Sequence, residues 1–491
     1  MSAASGPAEE QSALASVRKQ LLIGGTWRPG EGGRSIAVED PASGETIAEV
    51  ADATLAEARA ALGAAADAQA GFAAMAPRER GEILRRAYER MIAERERIAL
   101  LMSLEMGKTL AESDAEVLYA AEFFRWFAEE AVRIHGTYMR NPTGAGRILT
   151  MRAPVGPCLL ITPWNFPAAM AARKIAPAVA AGCTMVVKPA KQTPLCTLAI
   201  AEILREEGLP PGALNVVTTS DSAAVVEPLL DDPRLRKLSF TGSTAVGRAL
   251  MGRAAGGLLR LSLELGGNAP FLVFADADIE QAIGGALAAK LRNIGEACTA
   301  ANRFLVEASI AERFAAELAE RMRTLRSGRF SDPHSDLGPL IDGAQRAKVA
   351  RLVEEARGRG ARVLCGGQVP EGPGYFYPPT VLSDVPAEAE IAREEIFGPV
   401  AAIYAFDSEA QALALANGTE YGLVAYLYTQ SLERALRVSE ALEFGMVGVN
   451  QGVVSNPAAP FGGVKQSGFG REGGFEGIGE YLSTRYLALS L

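Results

Sequence analysis

Histidine is nearly absent: His135 and His334 are the only two in 491 residues. Neither lies in a recognisable motif with a serine or cysteine, so a Ser-His or Cys-His pair would have to draw on one of two weakly placed residues. Cysteine is scarce as well. The five (Cys158, Cys183, Cys196, Cys298 and Cys365) are odd in number and lack paired spacing. They signal neither a disulfide framework nor a zinc site, and no metal is expected. Positive charge is in deficit, with 49 Lys and Arg against 58 Asp and Glu, which argues against a nucleic-acid partner. Long apolar runs are missing too. The most apolar region, 158–188, is broken by Pro163, Pro167, Arg173, Lys174 and Pro177, so no membrane partner is expected. The first residues, MSAASGPAEEQSALAS, are acidic where a signal peptide would be basic. They predict a short disordered tail on a cytoplasmic protein.

What is present is ordinary globular composition, 48% hydrophobic and 22% charged, in a chain long enough for two or three structural units. Residues 21–50 suggest short strands and turns. Thr54 and Glu57 form a candidate capping box before an alanine-rich helix, and Pro77 opens a second, amphipathic one. More helix follows through 111–133. From residue 158 strands alternate with helices: CLLIT (158–162), TMVVK (184–188), LNVVT (214–218) and KLSFT (237–241), with helices at 167–181, 194–207, around 222–230 and from Ser243. Apolar runs of strand length separated by helices specify parallel βαβ units. The fold class is therefore α/β with a doubly wound, dinucleotide-type sheet. Ligands on such sheets bind at the carboxyl ends of the strands, which directs attention to PWNFP, PAKQTP and TGSTAVG. A second alternating region, from APFLVF (269–274) to about 460, predicts another α/β domain with helices at 278–294, 310–325 and 343–358. The last eleven residues, YLSTRYLALSL, alternate like an edge strand in need of a partner.

Residues 468–473, Gly-Phe-Gly-Arg-Glu-Gly, match GxGxxG literally, but follow a glycine-rich loop and leave no room for the βαβ unit that fingerprint requires. They are a decoy. Cys158, Cys183 and Cys196 sit in apolar strands or helices and fit buried packing roles. Cys298 does not, because Gly295, Glu296, Thr299 and Asn302 around it suit an accessible turn. Without histidine, such a thiol needs backbone dipoles, a cation, or a carboxylate acting through water.

From about residue 20 to the C-terminus the chain resembles the aldehyde dehydrogenase superfamily. The resemblance rests on ITPWNFP (161–167), VVKPA (186–190), FTGSTAVG (240–247), LELGG (263–267), GEACTAANR (295–303), EEIFGP (394–399), YGL (421–423) and PFGGVKQSG (460–468), eight motifs in order. It is closest to the succinate-semialdehyde dehydrogenase branch. The resemblance implies a Cys298 thiolate that attacks the aldehyde carbon, with Asn165 and the Cys298 backbone N–H stabilising the oxyanion. Hydride transfer to a nicotinamide then gives a thioester, and Glu264 activates the water that hydrolyses it. The apolar flanks Leu263 and Leu265 would raise its carboxyl pKa. On local context alone, Asn165 also suits a turn former and Glu264 a charged strand end.

For the cofactor, the same resemblance implies that Glu395 and Phe397 hold the nicotinamide ribose and ring, and that Lys188 bonds the adenosine ribose. Gly242 and Ser243 form a pyrophosphate turn at a helix N-terminus. Thr241, Val246, Ile161, Thr162, Pro163, Trp164, Ala190 and Leu265 complete the lining. Lys191 stands where many NAD-using members carry a glutamate, so NADP is favoured and NAD retained; a solvent-facing lysine is the other reading. Arg173, Arg292 and Ser455 match the clamp on a substrate's distal carboxylate. Ala300 replaces a second cysteine found in that branch, so no redox switch is expected.

The implied organisation is a cofactor-binding domain (1–135 and 155–266), a catalytic domain (267–463) and a β oligomerisation element (136–154 and 464–491) forming a homodimer or homotetramer. The expected reaction converts succinate semialdehyde to succinate. Another ω-carboxy aldehyde, such as glutarate semialdehyde, is the alternative within the class; a cysteine hydrolase or thioesterase is the alternative outside it.

Overall fold

A computed structural model of the protein describes residues 6–490. The strand-helix rhythm expected after residue 158 is realised as β1 (Cys158–Ile161), β2 (Met185–Lys188), β3 (Leu214–Val216), β4 (Lys237–Thr241) and β5 (Arg260–Glu264). Before them runs a long helix, α1 (Leu110–Glu130). Between the strands lie α2 (Pro167–Ala181), α3 (Leu195–Glu206) and α4 (Thr244–Ala254). Pro167 opens α2 at the position where a missing N–H costs nothing, and Gly182, at φ 86°, closes it in the left-handed conformation. All four residues of β1 and of β2 are buried, as a sheet covered on both faces requires.

The parallel strands run in the order β5-β4-β1-β2-β3, extended by the antiparallel strands Leu21–Ile23 and Thr26–Arg28 on one side and Gly468–Phe469 on the other. From β1 the chain winds outward through β2 and β3, then returns to lay β4 against the opposite side of β1. That reversal opens a crevice between β1 and β4 at their carboxyl ends. Register brings the strand ends together: Ile161 lies opposite Phe240 and Lys188, and Thr241 opposite Glu264.

A second, mostly parallel sheet contains β6 (Ala269–Val273), β7 (Ala301–Glu307), β8 (Val400–Phe406) and β9 (Val424–Tyr428), with α5 (Ile279–Leu291) leading toward β7 and α6 (Gly343–Gly358) preceding β8. Its core is aromatic: Phe271 stacks on Tyr428 at 4.9 Å and lies 5.1 Å from Phe304. A third sheet pairs Arg147–Pro154 with Tyr138–Arg140 and, over eight residues, with Leu482–Leu489.

The capping box is present: Thr54 Oγ1 accepts from Glu57 N at 3.3 Å and Glu57 accepts from Thr54 N at 2.8 Å. Three expectations need correction. The N-terminal segment is helical over Pro7–Ser16, held by the buried Ala13 and by an ion pair from Arg329 to Glu10 at 2.7 Å; residues 1–5 lie outside the described residues. The helix expected at 222–230 is a short turn, Ser222–Val225, followed by a 3₁₀ segment, because Pro228 has no N–H to continue it. Of the segment 464–491, only Leu482–Leu489 joins the small sheet. Gly468–Phe469 pairs with β5, and Gly474–Gly479 packs against α1 and α2. The decoy glycines are thus an edge strand and a turn of the first sheet.

Candidate active site

The crevice continues into a cavity of about 230 Å³ where the two large sheets meet. Pro163, Trp164, Asn165, Thr241, Gly242, Ser243, Glu264, Leu265, Cys298, Glu395 and Phe397 all line it. Eleven residues singled out from sequence, drawn from five separated motifs, therefore converge on one space.

Cys298 lies on the loop between α5 and β7. Just upstream, Asn293 and Ile294 adopt φ of 53° and 50°, strained for a β-branched isoleucine. Side chains from elsewhere fix this loop. Asn293 N donates to Glu112 at 2.6 Å, its amide donates to the main-chain oxygens of Asn165 (2.8 Å) and Glu296 (3.0 Å), and the Tyr426 hydroxyl donates to Thr299 O at 2.8 Å. Burial pushes the Cys298 thiol up to about 12; nearby Arg173 opposes the shift, while Glu395 and Glu264 add to it. The resting site holds a protonated thiol, so the thiolate must be made by proton removal during the reaction.

Asn165 Nδ2 donates to Glu296 O at 2.9 Å, which leaves the amide's second N–H for a ligand in the cavity. Its main chain is anchored from α1's side of the molecule. Lys108 Nζ donates to Asn165 O at 3.0 Å, lies 4.4 Å from the Phe166 ring centroid and pairs with the buried Glu116. Glu116 in turn accepts from Ala168 N and Ala169 N at 3.0 and 3.1 Å, capping α2. None of these supports was legible in the motif.

Glu264 ends β5. Both its carboxyl oxygens are buried without a hydrogen-bond partner, and burial lifts its pKa well above 4.5, the Glu472 charge adding to the shift and Arg173 and Lys174 opposing it. This is the direction expected from its apolar flanks, although Glu472 was not foreseen. An orphaned buried carboxyl facing a cavity is costly to the fold and suited to binding a water or taking up a proton.

Arg173 departs from the simple clamp. Its Nε and the ammonium of Lys174 both donate to Glu472, and its guanidinium carbon lies 4.0 Å over the Phe461 ring. The end of the fork is still available, since Nη2 is buried with no partner. Arg292 and Ser455 are brought together as expected, Arg292 Nη1 donating to Ser455 Oγ at 3.2 Å. The Arg292 guanidinium also lies 4.8 Å over the Phe166 ring.

The cofactor residues fit a dinucleotide. Ser243 caps α4 and accepts from Val246 N at 3.5 Å, leaving the helix N-terminus open toward the crevice. Gly247 allows α4 to approach: a Cβ there would meet Leu265 at 2.4 Å. Thr241 Oγ1 is buried without a partner. Lys188 is buried, and desolvation together with the like charge of Lys191 pulls its ammonium down to about 8, as expected of a cation awaiting acceptor oxygens. Ile161, Thr162 and Ala190 are buried around it, while Lys191 and Val246 are exposed at the rim. Glu395 accepts from Gly267 N at 3.1 Å and is raised by burial to about 7. Phe397, at φ 54°, meets the Trp164 ring edge-on at 5.4 Å. Sequence reasoning missed two supports on α6. Gln345 Nε2 donates to Phe397 O at 2.7 Å and Lys348 Nζ to Glu395 O at 2.8 Å, and both side chains line the cavity. Their i, i+3 spacing on a helix already expected there was the available signal.

A thiol hydrolase has no use for a crevice of this kind. Fold and site together suit an enzyme that binds a dinucleotide beside a thiol. Comparison with known proteins narrows the class: residues 27–487 match the sequence profile of the Aldehyde dehydrogenase family, and the chain belongs to that family. It is 58% identical to a succinate-semialdehyde dehydrogenase of Paenarthrobacter nicotinovorans over 90% of this chain and 99% of that one. It is 47% identical to a glutarate-semialdehyde dehydrogenase of Pseudomonas putida over 96% of this chain and 98% of that one. The crystal structure of an Escherichia coli NADP-dependent enzyme superposes with a TM-score of 0.95 at 47% identity, covering 97% of this chain and 98% of that chain.

Proposed function

We propose that the protein oxidises succinate semialdehyde to succinate, with water as the oxygen donor and NADP preferred over NAD. The observation that carries the substrate reading is the pairing of Arg292 with Ser455 (3.2 Å) and the unpartnered Nη2 of Arg173, both guanidiniums lying near enough to Cys298 to act on its thiol. Two guanidiniums and a hydroxyl form a site for a carboxylate at the far end of a short aldehyde. The names of the relatives support an ω-carboxy aldehyde and leave chain length as the finer question, glutarate semialdehyde being the second reading.

In this reading Glu264 withdraws the Cys298 proton, and the sulfur adds to the aldehyde carbon. The remaining Asn165 N–H and the Cys298 backbone N–H hold the oxyanion. A nicotinamide dinucleotide bound in the crevice, its ribose on Glu395 and its pyrophosphate at Ser243, supplies the hydride acceptor. Glu264 passes the Cys298 proton to solvent, then takes another from the water that hydrolyses the thioester; the C–S bond breaks, and the departing Cys298 sulfur is reprotonated as Glu264 gives that second proton back.

Rates measured with succinate semialdehyde, glutarate semialdehyde and butyraldehyde test the substrate. A charge-assisted hydrogen bond contributes about 1.5–3 kcal/mol, so wild-type kcat/KM should favour succinate semialdehyde over butyraldehyde at least tens-fold. Arg292→Ala should cut that ratio by at least about tenfold. Equal losses on both aldehydes would remove the clamp from the account.

Lys191 tests the cofactor. It is exposed at the rim and close enough to Lys188 to perturb it. Lys191→Glu replaces attraction for a 2′-phosphate with repulsion, so the NADP:NAD ratio of kcat/KM should move toward NAD. An unchanged ratio would show that Lys191 serves only solvation.

A homodimer or homotetramer is proposed on the exposed edge of the third sheet, where Tyr138 and Met139 leave apolar surface in solvent. A cytoplasmic setting is consistent with five cysteines that are all free thiols.

A further inference from the structure

Tyr119 projects from α1, which packs along α2, and it occurs in none of the motifs that mark the active site. Its ring packs edge-on against Phe123 at 5.0 Å, which fixes its orientation. The Arg292 guanidinium lies 5.8 Å over the same ring, while its Nη1 reaches Ser455. The Tyr119 hydroxyl is fully buried and has no hydrogen-bond partner, the same condition as Nη2 of Arg173. Arg173, Arg292 and the Cys298 thiol lie near enough to act on it, and the Ser455 side chain is a polar neighbour. Buried hydroxyls are almost always bonded. Here an orphaned O–H, an orphaned guanidinium N–H and a Ser–Arg pair converge, and every free group among them can donate. The missing partner is therefore an acceptor, and an anionic one, because Arg292 has no ion-pair partner among the described residues and meets only the Ser455 hydroxyl, whereas Arg173 is already paired with Glu472.

We propose that Tyr119 is a specificity-determining residue whose hydroxyl donates a hydrogen bond to the distal carboxylate of the substrate, completing a donor set with Arg173, Arg292 and Ser455. Burial keeps the phenol protonated against the pull of the two guanidiniums, so it remains a donor at working pH. A neutral hydroxyl adds no charge to a site that already carries two cations, but it fixes the carboxylate in direction. The inference rests on the ω-carboxy aldehyde reading and extends it by one residue.

Tyr119→Phe removes only the oxygen and keeps the packing on Phe123. Steady-state rates of wild type and variant should be compared on succinate semialdehyde and butyraldehyde, alongside thermal melting of both proteins. The expected result is a fall of about tenfold or more in the variant's succinate semialdehyde:butyraldehyde ratio of kcat/KM. The loss should fall mainly on KM for the semialdehyde, with an unchanged melting temperature. A wild type that prefers the semialdehyde, with a variant that keeps that preference or loses both rates equally, would overturn the role of Tyr119 and leave the substrate reading in place. A wild type indifferent to the carboxylate would overturn both.

Discussion

Cys298→Ala is expected to abolish aldehyde oxidation, lowering kcat by at least about 10³-fold, since loss of a covalent nucleophile elsewhere costs as much or more. The other four cysteines are buried, and Cys298 is the one thiol among the described residues that lines the cavity, so no neighbour can substitute. Cofactor binding, followed by fluorescence titration, should survive because the pyrophosphate turn and Lys188 belong to a different sheet. The wild-type rate should rise with pH: a thiol pushed up to about 12 is overwhelmingly protonated near neutrality, and each step upward enlarges the fraction that the base can draw off. Turnover in Cys298→Ala within tenfold of wild type would defeat the covalent mechanism. A flat wild-type pH profile would instead show that proton removal from sulfur does not limit the rate.

The first sheet was legible because fully buried parallel strands read as short apolar runs, and helices bounded by Pro167, Gly182 and Ser243 punctuate themselves. The small third sheet was visible as an alternating C-terminus in need of a partner, which proved to be Arg147–Pro154. What the motifs did not disclose are contacts between residues far apart in sequence. Glu472 meets Arg173 and Lys174 across some three hundred residues, in a stretch whose glycines invited a different reading. That pairing alters the charge seen by Glu264 and engages half of an arginine assigned wholly to substrate. Likewise, Lys108, in the short segment before α1, and Glu116, on α1, brace the Asn165 loop from a stretch with no catalytic signature. Motifs identify groups that touch ligands. The groups that hold those groups in place lie on ordinary helices and on connecting segments, where a buried ion pair and a solvated one look alike in sequence.

Glu264→Gln should separate the two halves of the reaction. The carboxyl is buried and unpartnered, and desolvation and the Glu472 charge raise it above the usual carboxylate range, so its basic form grows in at higher pH than an ordinary glutamate's. Glutamine keeps the volume and removes the titration. If Glu264 deprotonates the hydrolytic water, steady-state turnover should fall about 10²–10⁴-fold, the range for a positioned general base. If acylation proceeds by slower loss of the thiol proton to solvent, mixing the variant with succinate semialdehyde and oxidised cofactor should produce a burst of reduced cofactor. The peptide bearing Cys298 should then carry one succinyl group in the mass spectrum. Absence of both burst and adduct, with the same loss of turnover, would assign Glu264 to activation of the thiol rather than to deacylation. The pH profile distinguishes these from a merely structural effect: in Glu264→Gln the residual rate should lose the rise that the carboxyl contributes, whereas a packing defect would lower the whole curve without changing its shape. Wild-type turnover in the variant would remove Glu264 from the chemistry altogether. The unmet hydrogen bonds of a carboxylate buried beside Cys298 would then have no catalytic account.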